Sequence, residues 1–165
     1  MAGIINRVIM FVVLLLVQVL ILNRVWIFNV ATPLLYVYFV VSFPRNSAKG
    51  EVLAWSFALG LMVDLFSNTP GMASGTMTLV ALLQPYLLEL YVPRDSAENL
   101  EVTSATLGRS KFLTFSTILT LLYCLVFFIL EAFNFFEWQL WLLRAVCSTV
   151  LTMVLMLAID SVRSK

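Results

Sequence analysis

Asp64 and Arg144 are the residues best placed to do chemistry, because each puts a charge inside a run of hydrophobic residues. A charge near the centre of a membrane-spanning helix costs about 2.5–3.5 kcal/mol on insertion scales, so such residues usually face a helix bundle or a functional site. Asp64 follows Gly60 by four residues, and Arg144 precedes Ser148 by four, so each charge shares a helix face with a small residue. We expect both charges at similar depths, with Arg144 as the candidate partner of the Asp64 carboxylate.

Each of these charges has a second interpretation. Asp64 is a structural keystone or a partner contact in the first interpretation, and an ordinary interface residue near the outer end of its helix in the second. Arg144 has Glu131 and Glu137 as alternative partners, or it extends its long side chain to the membrane interface. A buried Asp–Arg pair would specify helix packing more than it would add stability.

Histidine is absent from the sequence, and the two cysteines, Cys124 and Cys147, both lie in apolar stretches. Without histidine, neither a Ser–His nor a Cys–His nucleophile can be built, and no imidazole metal site is possible. We interpret the cysteines as small membrane-core residues rather than as a disulfide or metal ligands. The sequence also lacks a phosphate-cradling glycine loop and a nucleophile elbow. We therefore predict a protein that is not an enzyme, with no catalytic residue, no metal and no cofactor.

The composition requires membrane helices to position these residues. The chain has 165 residues, of which 62% are hydrophobic and 12% charged, and its mean hydropathy is +1.01. A soluble core of this size cannot bury so much apolar surface. The net charge of +1 provides no basic field for nucleic acid. The predicted fold class is an all-α integral membrane protein, forming a single transmembrane domain over residues 1–165.

The hydrophobic runs predict a six-helix bundle, because a helix needs about 20 apolar residues to cross the hydrocarbon. The second element should be short or irregular, since Asn29 and Pro33 interrupt it, and five crossings remain if it does not span. Pro85 should bend the fourth element. The predicted spans are 4–22, 31–43, 51–66, 72–92, 112–130 and 138–159.

The distribution of charge predicts the orientation. If six spans alternate, one side receives eight of the ten cations, namely Arg7, Arg45, Lys49, Arg94, Arg109, Lys111, Arg163 and Lys165. The positive-inside rule then places both termini in the cytoplasm. Trp26, Trp138 and Trp141 fall near the opposite interface, where indole rings are favoured.

Small residues indicate where helices approach one another. Gly60 would let a neighbouring helix come close, one turn from Asp64. The spacing of Gly71 and Gly75 predicts a second close contact at the start of the fourth span. The polar segment 93–109 is either a connector exposed to solvent or a docking surface.

One segment resembles the signature of the rod shape-determining protein MreD family. It reads Gly60-Leu-Met-Val-Asp64-Leu-Phe-Ser-Asn-Thr-Pro-Gly71-Met72. In that family a glycine is followed four residues later by an aspartate, and a second glycine follows a short outer turn. Gly60, Asp64 and Gly71 match this motif. Similar features follow in the same order along nearly the whole chain, at residues 18–23, 33–36, 84–85, 130–133 and 143–145.

The resemblance implies a non-enzymatic scaffold of the bacterial inner membrane. Proteins of this family bind MreC and act with MreB, RodA and a cell-wall transpeptidase in peptidoglycan synthesis and the maintenance of rod shape. Their fold resembles the substrate-binding S component of energy-coupling-factor transporters, and membrane lipid is the other expected contact. The alternative function is that of such an S component, which would bind a vitamin or a metal. The bulky, aliphatic first span lacks the alanine-rich docking motif of that class.

Overall fold

The computed structural model describes residues 2–21, 34–44, 46–68, 70–95, 102–132 and 137–163, and these residues form helices and no strand. Among the described helices, four are long and apolar enough to cross a membrane, so the chain is an all-α, multi-pass membrane protein. They are α1 (Ala2–Leu20), α3 (Lys49–Ser67), α6 (Arg109–Ala132) and α7 (Trp138–Arg163). The other described helices are α2 (Val37–Val41), α4 (Met72–Tyr91) and α5 (Ser104–Leu107). Of the residues named in the sequence predictions, Trp26, Asn29, Pro33, Arg45 and Lys165 lie outside the described residues.

Helix α4 is as long as the membrane-crossing helices but more polar. Its 20 residues extend about 30 Å, enough to cross the hydrocarbon. Ser74, Thr76 and Gln84 are buried against the rest of the protein, and Pro85 lies within the helix without ending it. The polar side chains of α4 are therefore covered by its neighbours, chiefly α3 and α6.

The second element is short, and its whole length is buried. Helix α2 has five residues, and no residue from Leu34 to Phe43 is more than 8% exposed. We call residues 34–43 the central segment. Half of this segment is not regular α-helix, so backbone groups at its two ends need partners from elsewhere. In a membrane interior, irregular backbone is tolerated only where protein covers it and bonds its polar groups.

Polar side chains of three helices bond the two ends of the central segment. The Leu34 N–H donates to Oγ1 of Thr152 on α7 at 3.1 Å, and the Leu35 N–H donates to Oε1 of Gln18 on α1 at 3.1 Å. At the other end, Nε2 of Gln84 on α4 donates to the Phe43 carbonyl at 3.4 Å. Gln18 and Thr152 are thus inward-facing residues whose partners are backbone groups.

Aromatic side chains connect the central segment to the remaining long helices. The Tyr36 hydroxyl hydrogen-bonds the hydroxyl of Tyr123 on α6. The Phe39 ring contacts Phe11 of α1, with centroids 5.9 Å apart, and Trp55 of α3 at 6.3 Å. The central segment therefore touches all five long helices and forms the middle of the hydrophobic core.

Polar contacts at one end of the bundle involve the starts of α1 and α3. Arg7 forms an ion pair with Glu51, donates to Ser47 Oγ at 3.2 Å, and lies 5.2 Å from the centroid of the Phe43 ring. Lys49 donates to the Tyr86 hydroxyl near the end of α4, at 3.2 Å. We call this the basic end.

The last helix also ends at the basic end. Asp160 on α7 is buried and accepts hydrogen bonds from the backbone N–H and the hydroxyl of Ser104. This bond holds α5 against the bundle, with Val102 and Leu107 buried beside it. Val102, Thr103 and Leu107 are therefore packed against the bundle, whereas Ala105 and Thr106 are exposed. Asp160 is not among the inward-facing residues predicted from the sequence.

The Gln18 bond to the central segment predicts a measurable loss of stability. Gln18→Leu removes the acceptor of the Leu35 N–H and leaves that donor buried, which should lower the free energy of unfolding by about 1–3 kcal/mol. Gln139→Leu is the matched control, because Gln139 is exposed. Thermal unfolding of both variants in the same detergent would measure the difference. Equal melting temperatures would show that the Leu35 bond carries no stability.

Candidate functional site: the joint between α3 and α4

The chain reverses direction sharply between α3 and α4. Asn68 adopts a left-handed conformation (φ 58°, ψ 40°), and its N–H donates to the Asp64 carbonyl to end α3. Gly71 has φ +81° immediately before α4. Asparagine tolerates the left-handed region, and glycine occupies it without steric cost. Gly71 is therefore required by the backbone of the turn.

The Asp64 carboxylate caps the start of α4. Oδ1 accepts from the Ala73 N–H at 2.8 Å, and Oδ2 accepts from the Ser74 N–H at 2.9 Å. The first N–H groups of a helix have no partner within the helix, and the partial positive charge there attracts a carboxylate. Gly71 precedes α4 and has no side chain to cap it. Asp64 of the preceding helix supplies this cap, which explains how a carboxylate only 3% exposed is stabilised.

Gly60 lies one turn before Asp64, where α3 and α4 touch. A Cβ placed on Gly60 would lie 2.6 Å from the Ser74 Cα and 2.8 Å from the Ala73 carbonyl oxygen. Both distances are far inside van der Waals contact, and both involve backbone atoms that cannot rotate away. Gly60, Asp64, Gly71, Ala73 and Ser74 therefore form one unit, which we call the α3–α4 joint.

Gly75 lies outside this joint. It is exposed, and no described atom falls within 4 Å of the position of a Cβ at Gly75 or at Gly71. The close contact predicted at Gly60 is present, whereas the second contact predicted from the spacing of Gly71 and Gly75 does not occur among the described residues. At this level of α4, the buried face of the helix is formed by Ala73, Ser74 and Met77, whereas Gly75 lies on the exposed face.

Arg144 is not brought to Asp64. The structure forms no ion pair between them, and the Asp64 carboxylate faces the backbone of α4 instead. Nor does Arg144 pair with the alternatives, Glu131 and Glu137, which are exposed. Its Nε is buried and meets no acceptor within the described ranges. The predicted inward face of α7 does exist, since Ser148 and Thr152 on the same stripe are fully buried.

The chemistry of the α3–α4 joint is structural. The hydrogen bonds of Asp64 described above go to backbone N–H groups, and no group of three His, Cys, Asp or Glu residues that could hold a metal occurs in the described part of the chain. Cys124 and Cys147 are both free thiols. A separate cavity of about 100 Å³ opens at the basic end beside Asn6, Arg7, Met10 and Ser42. The Arg7 side chain that lines it is already bonded to Glu51 and Ser47.

The contact at Gly60 predicts a position-specific penalty for one methyl group. Gly60→Ala forces α3 away from α4, and overpacking of this kind costs about 1–3 kcal/mol. Gly50→Ala on the same helix is the matched control, because a Cβ there meets no described atom. Thermal unfolding in detergent should give a lower midpoint for Gly60→Ala and an equal or higher one for Gly50→Ala. The same midpoint for both variants would contradict the close approach.

The α3–α4 joint uses the residues that carry the resemblance to the MreD family, and its geometry is that of a helix cap and a close helix crossing. Comparisons with protein-family models, with curated proteins and with solved structures found no match to this chain.

Proposed function

We propose that this protein is a non-enzymatic scaffold of the bacterial inner membrane that binds MreC and contributes to cell-wall elongation and rod shape. The observation that carries the proposal is the α3–α4 joint. Gly60, Asp64 and Gly71, which match the family motif, are used for packing and helix capping rather than for lining a cavity. A motif used in this way fixes the shape of the helix bundle, which is what a scaffold must present to its partners.

The filled interior also supports a scaffold. Residues of the central segment occupy the middle of the bundle, and Tyr36, Tyr38 and Phe39 are among its largest buried side chains. A subunit that binds a vitamin needs a cavity of several hundred Å³. Within the described residues, protein side chains fill the middle of the bundle. A cavity of about 380 Å³ lies instead at the start of α7, beside Glu137, Trp138, Gln139 and Leu140.

The path of the central segment supports six crossings. Leu35 contacts Gln18, and Phe43 contacts Arg7, so the segment runs antiparallel to α1. Gln18 and Arg7 are eleven residues apart, which corresponds to about 16 Å of helix. Residues 34–43 would then be one half of a second crossing, and α4 the fourth. An even number of crossings places both termini on the same side.

The basic end is the cytoplasmic end in this proposal. Arg7 and Lys49 lie there, and the ends of α4 and α6 that point the same way carry Arg94 and Arg109. The positive-inside rule assigns such an end to the cytoplasm. With MreB in the cytoplasm, the basic end would face the cytoskeletal partner.

Cysteine labelling tests this orientation. On a background with Cys124 and Cys147 replaced by alanine, Glu137→Cys and Asp95→Cys each introduce a thiol at an exposed position. In spheroplasts, a membrane-impermeant maleimide should label the cysteine at position 137 directly. It should label the one at position 95 only after permeabilisation. The reverse pattern would invert the topology, and direct labelling of both would show that α6, which lies between the two positions, does not cross the membrane.

Affinity purification tests the function. The tagged protein, gently solubilised from native membranes, should recover MreC, RodA and the transpeptidase, as identified by mass spectrometry. Asp64→Ala removes the cap of α4 and should reduce recovered MreC several-fold per molecule of folded bait. Asp95→Ala, which removes an exposed carboxylate, should not change it. Recovery of an ATPase pair with a coupling subunit would instead identify a transporter component. Unchanged MreC recovery with Asp64→Ala would show that the α3–α4 joint is not needed for binding MreC.

A further inference from the structure

We draw no further inference here: the strongest candidate, the cavity of about 100 Å³ at the basic end beside Asn6, Arg7, Met10 and Ser42, points to no ligand, because the Arg7 guanidinium is already bonded to Glu51 and Ser47 and the Ser42 hydroxyl donates to the Phe39 carbonyl within the central segment.

Discussion

Every buried backbone N–H and carbonyl must find a hydrogen-bond partner, and the arrangement of this bundle depends on that requirement. In a membrane there is no water to bond a backbone group left over by secondary structure. Within the described ranges, two examples of places with such groups are the ends of the central segment and the start of α4. Side chains of Gln18, Thr152 and Gln84 bond the former, and Asp64 bonds the latter. These polar residues hold the helices in register.

Two kinds of packing accompany these bonds. At the α3–α4 joint, the missing side chain of Gly60 lets the backbone of α4 approach until the Asp64 carboxylate reaches two of its N–H groups. Around the central segment, aromatic rings such as Phe39 fill the space that irregular backbone leaves between helices. A glycine lets two helices come into backbone contact, whereas aromatic rings fill the space between helices that stay apart. Each kind of packing occurs beside the polar hydrogen bonds that it accompanies. The two together leave the interior occupied by protein.

The sequence predicts which residues turn inward better than it predicts what they meet. The cost of a charge in an apolar run placed Asp64 in a helix contact, and the run of interruptions around Pro33 predicted a short second element. The sequence could not identify the partner of Asp64. Its carboxylate accepts hydrogen bonds from backbone N–H groups, and every residue except proline carries such a group, so no residue type marks the partner. For the same reason a bond to Arg144 was expected instead. Gly75 shows the other limit, since a spacing of small residues does not say which face of the helix meets a neighbour. Asp160 lies near the end of α7, close to Arg163, and nothing in the sequence marks it as buried.

The polar residues of the bundle divide according to whether their partners are within the protein. Asp64, Gln18 and Thr152 are bonded to backbone, so their contribution is to the folded shape. The Nε of Arg144 and the Nε1 of Trp141 are buried donors with no acceptor among the described residues, so neither contributes a hydrogen bond to the folded shape there. Asp64 instead bonds two N–H groups of α4. The same requirement for a hydrogen-bond partner therefore separates the two charges, and removing the Asp64 carboxylate should cost more folding stability than removing the Arg144 Nε.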